Sequence, residues 1–401
     1  MLKVPRREIM AGERSFDINI PLDITEEILK KLPAKSIARF RCVSKGWESM
    51  IIVDSIVTRS LTQPPRDPHF LFVEDSLIKP VERYMFHMDM SYKKTYVRLS
   101  AFYAYPHQIK NKEQQIIYHG DIFGDCTSSE RNFAYVRGLI GWCSPPYGKF
   151  KIHNPTTNQS VSLPSTEYGS LRKTQPVFYL FGYDPWGDEY KVVCLTKHKT
   201  FCQVFTLGNQ KKLWTTILCG IELHFPFGDP VCINGVVYYK ANLEKQGFVL
   251  VSFDVRSEKF YLVQAPEKEQ VDQLPDFTLV NYQGKLGCIS RNKLNGNDVD
   301  MWVMENDEKQ EWSKVTFVAM LQDLPKHITF EGVTHPGGEI ILLHQIDRKK
   351  LTLDVYYYDP KQNSRRRVEI QTTITSSERI SLTGFFIVST VTDHVENIMR
   401  L

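Results

Sequence analysis

The chain has 401 residues, 42% of them hydrophobic and 12% aromatic, with 19 Tyr and 23 Phe. That length accommodates two domains and a large buried core, and the Tyr/Phe excess leans towards strands. A formal net charge of +4 spread over 50 basic and 46 acidic side chains gives no electrostatic ground for a nucleic-acid partner.

Residues 1–17 are polar, with Lys3, Arg6, Arg7 and Arg14, and read as a disordered lead. Residues 18–62 read as a small all-α module. Asp23 with Glu26 three places later forms a capping-box pattern, with Asp in place of Ser or Thr. Ile24, Ile28, Leu29 and Leu32 then repeat at helical spacing. Leu32-Pro33 stops that helix, because the residue before Pro disfavours the α region. Ile37, Phe40, Val43, Ser44 and Trp47 mark a second stripe, in which Gly46 costs about 1 kcal/mol relative to Ala. A module of about 40 residues is too small to be stable alone, which favours obligate partnering. The Pro-rich stretch 63–69 is the clearest linker.

Past it the hydrophobic period changes from 3.6 to 2, and residues 70–395 read as an all-β domain. The stretch Val315 to Leu324 is the nearest candidate for a short helical turn. A weak repeat is visible: a strand with Gly, a strand ending in Asp or Asn, a tight turn, then a strand with an aromatic. Anchored on Gly138, Gly182, Gly235, Gly284 and Gly338, the spacings are 44, 53, 49 and 54. Four-stranded propeller blades repeat at roughly 40–50 residues, so six or seven blades are expected. Radial repetition also protects the strand edges. A pair of β-sandwiches explains the strands but not the spacing.

Eight cysteines lie far apart with no C-x-x-C, and several sit in apolar strand-like runs. This suggests a reduced compartment rather than a disulfide scaffold. No apolar run is long enough to span a membrane. The expectation is a protein of the cytoplasm, the nucleus or both, with no membrane partner. Nucleotide-loop, serine-hydrolase and zinc-protease patterns are missing. Cys194 with His198 is too small a set for a metal site, and Asp184, Asp188 and Glu189 read as hairpin chemistry. Arg365-Arg366-Arg367 reads as a solvated strand end. No catalytic residue, metal or cofactor is expected.

The N-terminal run resembles an F-box. The matching residues are Ile20-Pro21-Leu22-Asp23-Ile24, Glu27-Ile28-Leu29, Leu32-Pro33, Lys35-Ser36-Ile37, Arg39-Phe40-Arg41 and Val43-Ser44-Lys45-Gly46-Trp47. Departures are mild: Ile20 for Leu, Thr25 for an aliphatic, Met50 for Leu, and Ser55 for Pro. The remainder resembles the F-box-associated region of plant F-box proteins, which is similar in fold to kelch-type propellers. Its collinear pieces include Gly138-Leu139-Ile140, Asn154-Pro155-Thr156-Thr157-Asn158-Gln159-Ser160, Phe181-Gly182-Tyr183-Asp184-Pro185, Ile233-Asn234-Gly235-Val236-Val237-Tyr238 and Tyr282-Gln283-Gly284-Lys285-Leu286.

The resemblance implies a non-catalytic substrate receptor of an SCF ubiquitin ligase. Its F-box would bind a Skp-family adaptor and, through it, a cullin and a RING subunit. Pro21, Leu22, Ile28, Leu29, Leu32, Pro33, Ile37, Val43 and Trp47 are assigned to that surface, with Phe40 and Ile24 given to the module's own core. The alternatives are an F-box scaffold acting outside a cullin complex, and a propeller lectin or other ligand-binding module. A target protein would meet the loops of one propeller face. Candidate loops are 144–148, 168–172, 224–228 and 292–297, with His224, Phe225 and Phe227 in the most apolar of them.

Overall fold

In the computed structural model of the protein, the chain divides into two units, residues 1–60 and 61–401. The structure describes Ile24, Ile28, Ser36, Ile37 and Arg39 of the first unit. In the second it describes the backbone of three strands between 70 and 125, most of residues 133–371, the strand 387–391, and Asn397, Met399 and Leu401. The five described residues of the first unit are all helical.

The second unit is all β. Its strands in chain order are β1 (Phe70–Ile78), β2 (Tyr96–Ala104), β3 (Ile117–Asp125), β4 (Phe133–Val136), β5 (Leu139–Ser144), β6 (Lys149–Asn154) and β7 (Gln159–Ser162). There follow β8 (Val177–Asp184), β9 (Glu189–Thr196), β10 (Phe201–Thr206), β11 (Thr215–Leu218), β12 (His224–Ile233), β13 (Val236–Leu243), β14 (Gly247–Asp254) and β15 (Lys259–Val263). The last are β16 (Phe277–Tyr282), β17 (Lys285–Arg291), β18 (Val299–Asn306), β19 (Glu311–Phe317), β20 (Thr329–Val333), β21 (Ile340–Asp347), β22 (Thr352–Asp359), β23 (Ser364–Gln371) and β24 (Ile387–Val391).

Five consecutive four-stranded sheets, β4–β7, β8–β11, β12–β15, β16–β19 and β20–β23, are propeller blades with described side chains. A further four-stranded sheet, β24-β1-β2-β3, is described by backbone pairing, with Leu71 to Asp75 of β1 opposite Ile387 to Val391 of β24. The spacing pointed to six or seven blades; the blades with described side chains number five. The first strands of neighbouring sheets lie against one another, β4 on β8, β8 on β12, β12 on β16 and β16 on β20, so they line the axis.

Burial follows from that geometry. An inner or middle strand is covered on both faces by adjacent blades and reads as one apolar run, as in β8, β9 and β18. Outer strands such as β11 and β19 keep an exposed side. The core is therefore a set of layers between blades rather than one centre. One layer joins Val193 and Val204 of the β8–β11 blade to Tyr239, Val251 and Phe253 of the next. Another joins Phe150 and Ile152 to Tyr179 and Phe181.

The repeat has a local cause. The first two strands of three blades are joined by two-residue turns, Arg137-Gly138, Asn234-Gly235 and Gln283-Gly284, with both residues at positive φ (42° and 86°, 47° and 88°, 54° and 83°). That is the hairpin turn whose twist matches the flanking strands. The Asp or Asn ending the third strand caps the turn after it: Asp254 Oδ1 accepts from Ser257 N at 2.6 Å, Asn306 Oδ1 from Lys309 N at 2.9 Å and Asp359 Oδ1 from Lys361 N at 2.8 Å. Gly182, used as an anchor of the repeat, occupies a different place. It lies inside β8, where an added Cβ would come within 2.6 Å of Val237 and Val255. The helical turn looked for at 315–324 is also corrected. Val315 is in β19, and successive turns follow, with Gln322 N bonded to Ala319 O and Leu324 N to Leu321 O.

Neighbouring blades are clamped at the rim by one recurring device. A side chain at the start of the fourth strand, or just before it in the case of Trp214, donates to a backbone carbonyl just past the fourth strand of the preceding blade. Trp214 Nε1 bonds Pro164 O at 2.9 Å, Trp312 Nε1 bonds Gln264 O at 3.0 Å, and Arg365 Nη1 bonds Met320 O at 3.1 Å. The basic run at Arg365-Arg366-Arg367 is thus structural. Arg366 stacks 3.5 Å from the Tyr357 ring centroid and pairs with Glu339, and Arg367 pairs with Asp354 at 2.8 Å.

Candidate recognition surface

The axis has two chemically different ends. At the turn end, successive hairpin turns pack head to tail. The position of a Cβ on Gly235 is 3.1 Å from Pro185, that on Gly284 is 3.5 Å from Asn234, and that on Gly338 is 3.3 Å from Gln283. Asn234 Nδ2 donates to Gly284 O at 3.0 Å, carrying the chain of contacts from one blade to the next. The Arg137 guanidinium lies 4.4 Å from the Tyr183 ring centroid. Tyr183 Oη donates to Asp188 at 2.7 Å, and burial with this carboxylate pushes its phenol up to about 12. Asp184 accepts from Trp186 N at 3.0 Å, so the Asp184 and Asp188 carboxylates serve the hairpin, while that of Glu189 faces Lys191 Nζ at 3.9 Å.

At the opposite, loop end, the chain enters the inner strands. Here the structure corrects the sequence reading of 224–228. These residues are not a loop but the start of β12, paired with β13 from His224↔Leu243 to Phe227↔Lys240. The run His-Phe-Pro-Phe-Gly carries a Pro, which is tolerated because β12 is the edge strand of its sheet. The register then shifts between Phe227 and Val231, and the bulge displays Asp229.

His224, Phe225 and Phe227 are half-buried. His224 Nε2 contacts Tyr239 Oη at 2.8 Å and its Nδ1 contacts Glu222 O at 2.9 Å. Burial lowers the His224 pKa below the usual imidazole range, which favours the neutral ring. Phe227 packs on Phe248 and Phe248 on Phe277, with centroids 6.0 and 5.6 Å apart, tying the β12–β15 blade to the β16–β19 blade. Lys240 Nζ sits 5.5 Å from both the Phe227 and the Phe277 ring centroids and donates to Phe277 O at 2.8 Å. Asp229 is open to solvent yet walled by protein, which raises its carboxyl pKa, with Lys240 opposing. Aromatic faces beside a cation and an anion suit a polar peptide with an apolar side chain. Lys240, Asp229 and Tyr239 were missed from sequence because only the pairing of β12 with β13 sets them beside Phe227.

Of the other candidate loops, 292–297 is described and exposed, with Leu294 99% accessible. Its shape is set by Asn292 Oδ1, which accepts from Leu294 N and Asn295 N. Residues 145–148 and 168–172 lie outside the described residues. Among the described residues of the first unit Ile28 is 44% exposed. Ile37, assigned to the docking surface, is 1% exposed, and Ile24, given to the module's own core, is 49% exposed. Ile24 and Ile28 are four apart and so share one helix face. Pro21, Leu22, Leu29, Leu32, Pro33, Phe40, Val43 and Trp47 lie outside the described residues. Among the described residues no cluster of His, Cys, Asp and Glu could hold a metal, and no helix is long and apolar enough to cross a membrane.

Comparison with known proteins decides the family. The F-box domain matches residues 18–56, and the F-box associated beta propeller domain matches residues 86–395. The chain belongs to the plant F-box proteins that carry an F-box-associated propeller. Its relatives include At5g50220 of Arabidopsis thaliana, named for an F-box, at 40% identity over 403 residues, covering 99% of this chain and 94% of that protein. The F-box protein At1g52495 of the same plant is 38% identical over 403 residues, covering 96% of this chain and 88% of the relative. Among solved structures, TolB from Acinetobacter baumannii aligns with a TM-score of 0.42 at 9% identity, covering 82% of this chain and 70% of that one. In this F-box protein the two blocks follow one another along the chain, the F-box before the propeller.

Proposed function

We propose that the chain is the substrate-recognition subunit of an SCF-type ubiquitin ligase, acting in the cytoplasm, the nucleus or both. The observation that carries this reading is the order of an F-box and an F-box-associated propeller in one chain, matched at 18–56 and 86–395. The F-box would lay an apolar helix face on a Skp-family adaptor, with Ile24 and Ile28 now on that face beside Pro21, Leu22, Leu29, Leu32, Pro33, Val43 and Trp47. Such side chains contribute about 25 cal/mol per Å² of apolar surface removed from water, in the helix-in-groove mode. The adaptor would bring a cullin and a RING subunit. The propeller would hold a target protein at its loop end, where Phe227 and Lys240 meet near Asp229, at raised effective concentration near a charged conjugating enzyme. No covalent chemistry is asked of this chain. The pairing of β24 with β1 supports a closed ring of six blades.

The test is co-purification with a Skp-family adaptor and a cullin. Both are expected with the intact chain and neither with the Leu29→Ala, Trp47→Ala double variant. Retention of the adaptor by that variant would sink the assigned surface. Adaptor binding without a cullin would instead favour a scaffold outside the ligase. A saturable hit on a glycan array would favour the lectin alternative.

A further inference from the structure

The five strands that line the axis, β4, β8, β12, β16 and β20, carry three acidic side chains, Asp184, Asp229 and Glu331, and no Lys or Arg. That balance is one-sided in a chain whose net charge is +4. An opening lined by one sign of charge, with walls less polarisable than water, focuses its field on whatever enters. Two of the three carboxylates are occupied locally. Asp184 accepts from Trp186 N at 3.0 Å at the turn end, and Glu331 accepts from Thr329 Oγ1 at 2.6 Å.

Asp229 differs from both. Among the described residues no hydrogen bond or ion pair reaches its carboxylate. Its place is set by the backbone: Phe227 pairs with Lys240 and Val231 with Tyr238, so Gly228, Asp229 and Pro230 together face Tyr239 alone. Gly228, at φ 69°, supplies the left-handed step of this bulge. β12 is bonded on one side only, to β13, so the surplus residues bow towards the axis. In keeping with that, β12 touches β4, two blades away, as well as its neighbours β8 and β16.

An acid that is open to solvent while protein surrounds it lies in a concavity rather than on an outer surface. Desolvation raises its pKa, and Lys240 opposes this through its charge without bonding the carboxylate. The Lys240 ammonium is itself engaged, by Phe277 O at 2.8 Å and by the Phe227 and Phe277 rings. A carboxylate in this state is stabilised by a cation that brings its own hydrogen-bond donors. A metal is the weaker fit, because among the described residues no group of three His, Cys, Asp or Glu side chains could hold one. A basic side chain carries charge and N–H donors together on an apolar stem, which suits a site with aromatic walls.

We propose that this concavity is a pocket for a Lys or Arg side chain of the target protein, with Asp229 as its counter-ion. The proposal rests on the propeller being the target-binding part of the ligase subunit, and it names the class of residue that the target presents.

The probe is a randomised nine-residue peptide library displayed on phage, selected on the purified intact chain and sequenced. A charge-assisted hydrogen bond corresponds to ~10-fold in affinity, so the selected pool should gain Lys or Arg at one position by a similar factor over the input. Asp229→Asn removes the charge and keeps the shape, so it should melt with the parent and lose the basic preference. A pool without a basic preference overturns the proposal, as does a preference that survives Asp229→Asn. An Asp229→Asn chain that melts well below the parent also overturns it, because the carboxylate then has a structural partner. The selection uses neither adaptor nor cullin. A basic pool from a chain that recruits no cullin sinks the ligase reading alone, and a neutral pool from a chain that recruits one sinks this proposal alone.

Discussion

The turn end and the loop end of the propeller solve opposite problems with the same strands. At the turn end, left-handed glycines let each hairpin lie against the next, and Asn234, Arg137 and Tyr183 find their partners inside the ring. At the loop end, half-buried aromatics surround Lys240 and Asp229 remains open to solvent. The first end has little chemistry left for a ligand; the second keeps aromatic faces and both charges in reach. Architecture is concentrated where chain reversals are shortest, and unsatisfied surface chemistry where the connections lengthen.

The largest expected effect tests the packing half of that contrast. Gly182→Val places atoms where even a Cβ comes within 2.6 Å of Val237 and Val255, and should cost about 3 kcal/mol or more in a denaturant melt. A loss under about 1 kcal/mol would show that the inter-blade layer yields easily. Acid should act next. His153 is 5% exposed, and burial lowers its pKa to about 4. The unfolded imidazole, near 6.5, therefore takes up its proton first. The stabilisation is complete above pH 6.5 and is lost as pH falls towards 4, about 3 kcal/mol in all. His153→Asn should flatten the stability profile across that window, while His224 contributes a loss of the same sign.

Smaller effects separate the two ends directly. Gly235→Ala forces a Cβ onto a residue at φ 88° beside Pro185 and should lower stability by about 2 kcal/mol, read as a shifted denaturant midpoint. Asn234→Ala removes one inter-blade bond and a residue tolerant of positive φ, for about 1 kcal/mol. Lys240→Met keeps the stem between the two rings and should cost under about 1 kcal/mol. Once a target is in hand, a pull-down with Lys240→Met should nevertheless show weakened capture. A variant that melts early but captures its target normally would make Lys240 a structural residue and dissolve the contrast.

Much of the fold was legible because its signals are local. Gly138, Gly235 and Gly284 mark hairpins through backbone geometry alone, and Asp254, Asn306 and Asp359 mark capped turns through side chains that reach only two or three residues on. Gly182 misled because glycine serves two needs, positive φ in a turn and a missing side chain at a close approach. One sequence does not distinguish them. His224 to Gly228 looked like a loop because Pro and Gly are turn residues, but an edge strand along the axis tolerates both. Ile24 and Ile37 both fit a helical stripe, and which of the two faces outward depends on packing across the module.

What the amino-acid order by itself determined is the F-box, the period of the β repeat and the family, since each rests on residues close together or collinear along the chain. Which side chains meet was decided only by the tertiary structure. Lys240 reaches Phe277, Asn154 reaches Asn397 and Trp312 reaches Gln264 across 37, 243 and 48 residues. Such contacts exist only after the sheets pack on one another, because that packing brings together residues that no local periodicity relates.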